Sequence, residues 1–296
     1  MDHRIWLAKL PDQVKSRLAV RSDRAGLVHM AGHVGLIAAC SALIVSGVPG
    51  WWLLLPVQGV LLVFLFTLEH EATHQTPFRS VWLNEAVGHV CGVVLVLPFR
   101  WFRYFHMAHH RWTNIPAKDP ELDGPKPANL RSWLWHVSGL PYWISALKLL
   151  VRLARGVADE DFMPTGARGR VVAEAHVLAV VYLVLAFSLL WSPMVLWLWA
   201  IPVLLGQPFL RLYLLAEHGD CPFVSNMFEN TRTTFTTSII RLLAWNMPYH
   251  VEHQVAPNVP FHRLPELHRS MRDQLKVTAN GYAAFTRDFL DRRLRP

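Results

Sequence analysis

Apolar and polar positions alternate along this chain in long blocks, and two of the apolar blocks are long enough to hold pairs of helices. Residues 27–68 contain no Asp, Glu, Lys or Arg, and Pro49-Gly50 places a turn signal near the middle. A second uncharged block covers residues 175–210 and is interrupted at Ser192-Pro193. About 20 apolar residues in a helix cross ~30 Å of hydrocarbon, so each block predicts a hairpin of two membrane spans. We place the spans at about 27–48, 51–69, 171–191 and 193–215.

The polar segments predict the orientation of these spans. Six basic residues precede the first span, and both hairpin turns are uncharged. By the positive-inside rule, residues 1–26, 70–170 and 216–296 are expected in the cytosol. Residues 85–98 are apolar but too short to span and predict a re-entrant or core-packed helix, while residues 130–155 have the composition of an interfacial helix. The sequence therefore predicts one membrane-bound domain over residues 1–296, all-α, with four spans in two hairpins and a cytosolic helical cap.

Composition and charge exclude several other classes of protein. A content of 52% hydrophobic and only 17% charged residues excludes disorder. The net charge of +8 is explained by basic residues beside the spans, so nucleic-acid binding is not expected. Three scattered cysteines exclude a disulfide framework, a four-cysteine iron–sulfur cluster and a zinc ribbon. No cleavable signal peptide is evident in the first 26 residues.

Histidines carry the candidate chemistry, because eight of the sixteen fall in four short segments on the predicted cytosolic side. They form an HxxxH pair, an HxxHH cluster, a single histidine after the fourth span and an HxxH pair: His70, His74, His106, His109, His110, His218, His250 and His253. Residues three or four apart share one face of a helix, so each group can direct its imidazoles at one ion. Four to six ligands saturate a single ion, so eight imidazoles predict two metal ions. His29 and His33, in the first span, are expected to make packing or polar helix contacts.

Neutral imidazoles leave the charge of a metal pair uncompensated, so nearby carboxylates are expected to orient the rings and balance that charge. Five acidic residues are placed for this role: Glu69, Glu71, Asp119, Glu217 and Glu252. Asn246, four residues before His250, is expected to hold a metal-bound water or to orient that ring.

The histidine segments resemble the three boxes of the membrane fatty acid desaturase and hydroxylase superfamily. The segment His70-Glu71-Ala72-Thr73-His74 resembles the first box of that superfamily. The run from His106 to Asn114, with Asp119-Pro120-Glu121, resembles the second box. The third resembles Trp245-Asn246-Met247-Pro248-Tyr249-His250-Val251-Glu252-His253 with the Pro257–His262 segment, as in bacterial members. The resemblance covers about residues 27–270 and is specific to the superfamily, not to one substrate.

This resemblance implies two iron ions held by the eight histidines named above, using O2 and two electrons to attack an unactivated C–H bond. It also implies a bacterial inner membrane location with the active site in the cytosol. One position departs from the family pattern, because Gln254 stands where the third box usually ends in histidine. A glutamine oxygen ligates iron more weakly than imidazole does, or a water fills the place, so the two metal sites are expected to differ.

Desaturation of a fatty acyl chain is the reaction we expect, and a hydroxylase or ketolase acting on an alkane, lipid or carotenoid is the alternative. The substrate is expected in an apolar tunnel between the spans, with Phe64, Phe66, Phe209 and Leu214 as wall residues. Two distant alternatives also use these histidines. His70-Glu71-Ala72-Thr73-His74 matches the HExxH motif of zinc proteases, but a protease leaves the other clusters unexplained. A metal or haem carrier usually places its ligands near the bilayer middle.

The electrons are expected from a separate protein, because the sequence has no GxGxxG motif, cysteine quartet or fused haem domain. A ferredoxin, rubredoxin or cytochrome-type donor with its reductase fits this requirement. Basic residues on the cytosolic side are expected either to steer an acidic donor or to contact membrane lipids: Arg100, Arg103, Arg152, Arg155, Arg292, Arg293 and Arg295.

Overall fold

The computed structural model describes residues 1–294, which form sixteen α-helices and one short parallel sheet. The helices are α1 His3–Lys9, α2 Asp12–Leu18, α3 Asp23–Val45, α4 Leu54–Val63, α5 Leu65–Thr73, α6 Val81–Leu95, α7 Phe99–Trp112, α8 Leu130–Val137, α9 Leu140–Ala154, α10 Arg168–Ser188, α11 Ile201–His218, α12 Met227–Asn230, α13 Ser238–Leu243, α14 His250–Val255, α15 Leu264–Met271 and α16 Tyr282–Leu294. Strand β1 (Thr233–Thr234) pairs with β2 (Thr278–Ala279), with Thr233 opposite Thr278. The all-α fold class is confirmed.

Four helical stretches within these residues are long and apolar enough to cross a membrane: Asp23–Val45, Trp51–Thr73, Thr165–Ser188 and Leu196–His218. The first and third are largely exposed along their length, as expected of helices that face lipid. The second and fourth are more buried and continue about one turn beyond the ends expected from charge. Those extra turns carry Glu71 and Glu217, which are largely enclosed by the protein instead of lying in water. The chain is an integral membrane protein.

The two central spans cross at a pair of glycines, and this crossing brings their ends together. A Cβ atom on Gly206 of α11 would lie 2.2 Å from the carbonyl carbon of Gly59 in α4. A Cβ on Gly59 would lie 2.0 Å from the oxygen of Pro202. Only residues without a side chain allow such a close approach of two helix backbones. Because α5 continues from α4, the crossing places the first histidine box beside the end of α11.

Replacing Gly206 with alanine is expected to destabilise the protein, because the added methyl group meets backbone that cannot move aside. Overpacking of this kind costs about 1–3 kcal/mol. The check is the thermal midpoint and the monodisperse yield of detergent-purified protein. Gly35→Ala is the matched control, since no atom lies within 4 Å of a Cβ on Gly35 and alanine favours a helix. Equal stability of the two variants would show that the crossing is not a tight contact.

The short apolar segment expected at 85–98 forms α6, which packs against α5 and then bends by 99° into α7. Val96 adopts a positive φ of 57° at the bend, and its backbone N–H closes the helix on Gly92. Pro98 precedes α7 and has no N–H to continue the earlier helix. The bend turns α7, which carries the HxxHH cluster, across the ends of the spans.

The segment expected as one interfacial helix, residues 130–155, is two helices, α8 and α9. Gly139 separates them with a φ of 74°, and Pro141 occupies the first turn of α9. Left-handed backbone favours glycine, and proline is well placed at a helix start, so this break follows from local sequence.

His29 and His33 make the helix contacts expected of them. The Nε2 of His33 lies 2.8 Å from the carbonyl oxygen of Leu61, and the indole N–H of Trp245 donates to its Nδ1 over 3.3 Å. The Nε2 of His29 lies 2.7 Å from the carbonyl oxygen of Leu242. The contact with Leu61 joins α3 to α4, and those with Leu242 and Trp245 join α3 to the segment that leads into the third histidine box.

Candidate metal centre

Four helices deliver the eight histidines to one place. His70 lies on α5, and His74 is the residue at which that helix ends. The HxxHH cluster lies on the last two turns of α7, and His218 is the last residue of α11. His250 and His253 lie on α14, which begins four residues after Asn246, and Asn246 and Trp245 form a turn in which both have positive φ. Residues far apart in sequence therefore meet because helix ends converge.

A first group contains five imidazoles, here called group 1: His70, His74, His106, His110 and His253. Each offers one ring nitrogen such that all five nitrogens lie within 4.8 Å of one another. The Nε2 atoms of His74 and His106 are 2.9 Å apart. This is a complete set of nitrogen ligands for one metal ion.

A second group, here called group 2, consists of His109, Glu121 and His218, again with ligand atoms within 4.8 Å of one another. His250 adjoins it, with its Nε2 3.2 Å from the Nε2 of His218. The side-chain amide of Gln254 lies between His109 and His250. Its Nε2 is 2.9 Å from the Nε2 of His109 and 3.5 Å from the Nε2 of His250. The two groups are adjacent, since the rings of His106 and His109 are 5.8 Å apart.

Three of the five expected carboxylates lie beside histidines of this centre. The Nδ1 of His109 is 3.0 Å from Asp119. Glu71 lies 3.4 Å from the Nδ1 of His253, and Glu217 lies 3.4 Å from the Nδ1 of His250. Glu71 is also fixed by the Phe261 backbone N–H, which donates to it over 3.0 Å. In each of these three pairs the carboxylate lies on the Nδ1 side of the histidine ring, so the Nε2 atom points into the centre, where a metal ion would bind.

The other predicted supporting residues lie elsewhere. Glu252 pairs with His268 and accepts a hydrogen bond from Thr233, so it holds α14 against its neighbours. Glu69 is buried on α5, and no ion pair or hydrogen bond within residues 1–294 joins it to a histidine. Asn246 lies in a turn, not one helical turn before His250, and its side chain donates to the carbonyl of Phe261.

The donor set fits a cation. Within the described part of the chain, the Nδ1 of His70, both ring nitrogens of His110 and the Nε2 of His253 are buried and make no hydrogen bond. Burial, together with neighbouring imidazoles, lowers the pKa of His74 and His250 well below the ordinary value, so both rings are neutral and offer lone pairs. Buried polar atoms without partners are costly, and metal ions at these places would satisfy them.

The expected tunnel residues occupy different surroundings. Phe66 is half-buried, with its ring 6.2 Å from that of His70. Leu214 is half-buried one turn before His218, and Phe64 is buried against Tyr213, with ring centroids 5.3 Å apart. Phe209 is 51% exposed and faces outward from the bundle. Of these four residues, Phe66 and Leu214 lie nearest to the histidines.

Sequence reasoning assigned no role to Glu121, Thr113 or Asn230, which all lie at this site. The Oε2 of Glu121 lies 3.6 Å from the Nδ1 of His109. Thr113 donates to the oxygen of Gln254 over 3.1 Å, and the carbonyl of Asn230 lies 3.1 Å from the Nδ1 of His218. The Asp119-Pro120-Glu121 run was a usable signal for Glu121, whereas nothing near Asn230 marks it as a partner of the centre.

Replacing Asp119 with asparagine is expected to weaken metal binding about 10- to 100-fold, the usual effect of losing a carboxylate behind a histidine ligand. Burial alone would raise the pKa of Asp119, but hydrogen bonds from His109 and from two backbone N–H groups hold it below the ordinary value. Asp119 is therefore ionised at neutral pH. Chelator competition on purified protein measures the effect, with exposed Asp288→Asn as control. Unchanged metal affinity in D119N would contradict this role.

A helical membrane bundle that gathers two donor groups at the ends of its spans defines a membrane-bound metalloenzyme. The fatty acid desaturase family model matches residues 46–286, and the chain belongs to that family. It is an oxidoreductase that acts on lipid acyl chains. The expected membership of the fatty acid desaturase family is thereby confirmed.

Curated relatives carry names within this family. The sn-1 oleoyl-lipid 12-desaturase of Picosynechococcus sp. is 23% identical over 263 residues, 81% of this chain and 74% of the relative. The enzyme of the same name from Anabaena variabilis is 22% identical and covers 75% and 70%. The sn-1 acyl-lipid omega-3 desaturase (ferredoxin) of Nostoc sp. is 30% identical over 84 residues, 27% of this chain and 22% of the relative.

Proposed function

We propose that this protein introduces a double bond into an acyl chain of a membrane glycerolipid, using O2 and electrons from a ferredoxin-type donor. The observation that carries the proposal is the pair of adjoining donor groups at one end of the spans. The names of the acyl-lipid desaturases, one of them ferredoxin-dependent, support the substrate class and the donor. The histidine-rich end is proposed to face the cytosol of a bacterial inner membrane, in line with the basic N-terminal segment.

In this proposal two iron ions occupy groups 1 and 2. His70, His74, His106, His110 and His253 would hold one ion, and His109, His218, His250 and Glu121 the other. Bound iron would supply the oxidising power, drawn from O2 and two electrons, that breaks an unactivated C–H bond. Asp119 would keep the proton of His109 on Nδ1, so that Nε2 faces inward, and Glu71 and Glu217 would do the same for His253 and His250.

Gln254 makes the two groups unequal. Thr113 donates to its oxygen, and its amide nitrogen faces His109. An amide nitrogen is a hydrogen-bond donor and not a metal ligand, so in this orientation Gln254 contributes no ligand atom. We propose that Glu121 compensates in group 2 for the imidazole that this position usually supplies.

The cytosolic arginines differ in their availability for a donor. Arg103 pairs with Glu85, and Arg152 pairs with Asp159 and Glu160. Arg292 and Arg293 both pair with Asp220, and Arg295 lies outside the described residues. Arg155 is exposed at the end of α9, and Arg100 donates its backbone N–H to Glu174. Arg100 and Arg155 are therefore the proposed contacts for an acidic donor or for lipid headgroups.

Expression in a bacterial host that makes only saturated and monounsaturated lipids tests the proposed function. With co-expressed ferredoxin and its reductase, gas chromatography and mass spectrometry of total lipids should show a new double bond. Its position on the chain would identify the carbon attacked. A hydroxylated or oxo lipid in place of a new double bond would overturn desaturation in favour of the alternative. No change in lipids, with both irons bound and reducible, would overturn the substrate class.

A further inference from the structure

A polar corner lies between the turn that joins α8 to α9 and the middle of α11, apart from both donor groups. We define it by Gly139, Tyr142 and Trp143 on one side and Gln207 and Arg211 on the other. The Cγ of Gln207 would lie 2.4 Å from a Cβ on Gly139, so the two helices touch here. The Arg211 guanidinium carbon lies 4.7 Å from the centre of the Tyr142 ring, which packs against Trp143.

Polar atoms in this corner have no partner within residues 1–294. Gln207 is fully buried, and both atoms of its amide make no hydrogen bond. The indole N–H of Trp143 and the Nε of Arg211 are buried and equally unpartnered. Gln58, a buried glutamine on α4, differs because its amide nitrogen donates to Ser41 over 2.9 Å, and only its amide oxygen is unpartnered. Unsatisfied buried groups are rare in folded proteins, and several in one corner indicate a missing ligand.

The corner is also positively charged. No carboxylate within the described residues lies at ion-pair distance from Arg211, although Glu121 and Glu217 act on it from farther away. Burial, with the charges of Arg211 and Lys126, lowers the pKa of the neighbouring His136 to about 4. An unpaired guanidinium beside hydrogen-bonding groups is suited to a carboxylate or phosphate oxygen.

The corner is connected to the metal centre along α11. Gln207, Arg211, Leu214 and His218 follow one another at spacings of four, three and four residues and so share one face of the helix. Arg211 is seven residues from His218, or about 10 Å along the axis. A ligand held by its polar end at Arg211 can therefore lay its hydrocarbon chain past Leu214 towards the histidines.

We propose that this corner binds the oxygen-bearing end of the acyl substrate. The guanidinium of Arg211 pairs with an anionic carboxylate or phosphate oxygen, and the amide of Gln207 bonds to the carbonyl of the acyl ester. The inference rests on the proposed function, since it names the part of the enzyme that sets the distance between the polar end and the carbon attacked.

Equilibrium binding of three labelled ligands with the same chain tests this site on detergent-purified enzyme without reductant. The ligands are oleate, monooleoylglycerol and oleoyl-lysophosphatidylglycerol. Arg211→Met should weaken binding of the two anionic ligands at least about tenfold and leave monooleoylglycerol unaffected. A loss for oleate alone identifies a free carboxylate as the natural partner, and a loss for the phospholipid alone identifies a headgroup phosphate. Gln207→Leu should weaken binding of the two esters by a similar factor.

Two controls separate binding from folding and from general charge. Arg131→Met removes an exposed positive charge from α8 and should leave all three affinities unchanged. Gln207→Leu should keep or raise the thermal midpoint, whereas Gln58→Leu should lower it and leave binding unchanged. Unchanged affinities in both corner variants, or a Q207L protein as unstable as Q58L, would overturn the site. Because no turnover is needed, the site can fail while lipids are desaturated, and it can hold while no double bond appears.

Discussion

Replacing His253 with alanine is expected to lower turnover by at least about a thousandfold and to remove the metal of group 1, while the protein still inserts into the membrane. His253 is fully buried, and its nitrogens complete the group of five imidazoles. No neighbouring side chain can take its place, because the fully buried Glu71 lies behind its ring and not in front. Metal content by mass spectrometry, lipid products and membrane-fraction yield measure the three effects. We expect the same result for His109→Ala through group 2.

The matched control for these variants is His176→Ala. His176 is an exposed histidine on α10. Within the described residues, the one hydrogen-bond partner of its ring is the carbonyl oxygen of Ala154. It should retain metal and turnover. Full turnover in H253A or H109A would rule out the metal centre. If both the wild type and the H176A control lack iron, the proposed cofactor is refuted.

Replacing Glu121 with glutamine is expected to remove about half of the bound metal and nearly all turnover. The change takes a negative charge and the proposed ligand oxygen from group 2, where Gln254 stands in place of an imidazole. Group 1 contains no carboxylate and should keep its ion. Mössbauer spectroscopy of protein grown in labelled iron distinguishes loss of one ion of a coupled pair from partial loss of both.

Asp123→Asn is the control for this variant, since it removes an exposed carboxylate two residues along the same loop. It should bind as much metal as the wild type. Two irons per chain in E121Q, with unchanged coupling, would show that Glu121 is not a ligand. One zinc and no iron in the wild type would instead favour the protease alternative and make peptide cleavage the assay.

Helical spacing was enough to bring the histidines together but not to divide them between two groups. His106 and His110 are four residues apart and enter group 1, while His109, three residues after His106, enters group 2. The same separation divides His253 from His250 on α14. A spacing pattern treats these positions as one face, yet the face is wide enough to present neighbouring residues to different ions. That division depends on how helices from distant parts of the chain are oriented, which local sequence does not contain.

Charge was a poor guide to the ends of the helices and to the role of each carboxylate. Glu69 and Glu71 are two residues apart on α5, and both were expected beside the metals. Only Glu71 lies next to a histidine. Each residue along a helix is turned by about 100° from the one before it, so Glu69 and Glu71 point to nearly opposite sides of α5. Gly139 and Gly206, in contrast, carry recognisable backbone signals, but which helix approaches each of them becomes clear only in the folded chain.

The glycine crossing of α4 and α11 lies well away from the metal centre along both helices. His70 lies 11 residues beyond Gly59 and His218 lies 12 residues beyond Gly206, so the lever arms are about 16 and 18 Å. A change of only 5° in the angle between the helices would therefore displace these histidines by about 1.5 Å relative to each other. Spanning helices change tilt when the bilayer becomes thinner or thicker. A bilayer thickness that altered the crossing angle would therefore also alter the separation of the two donor groups.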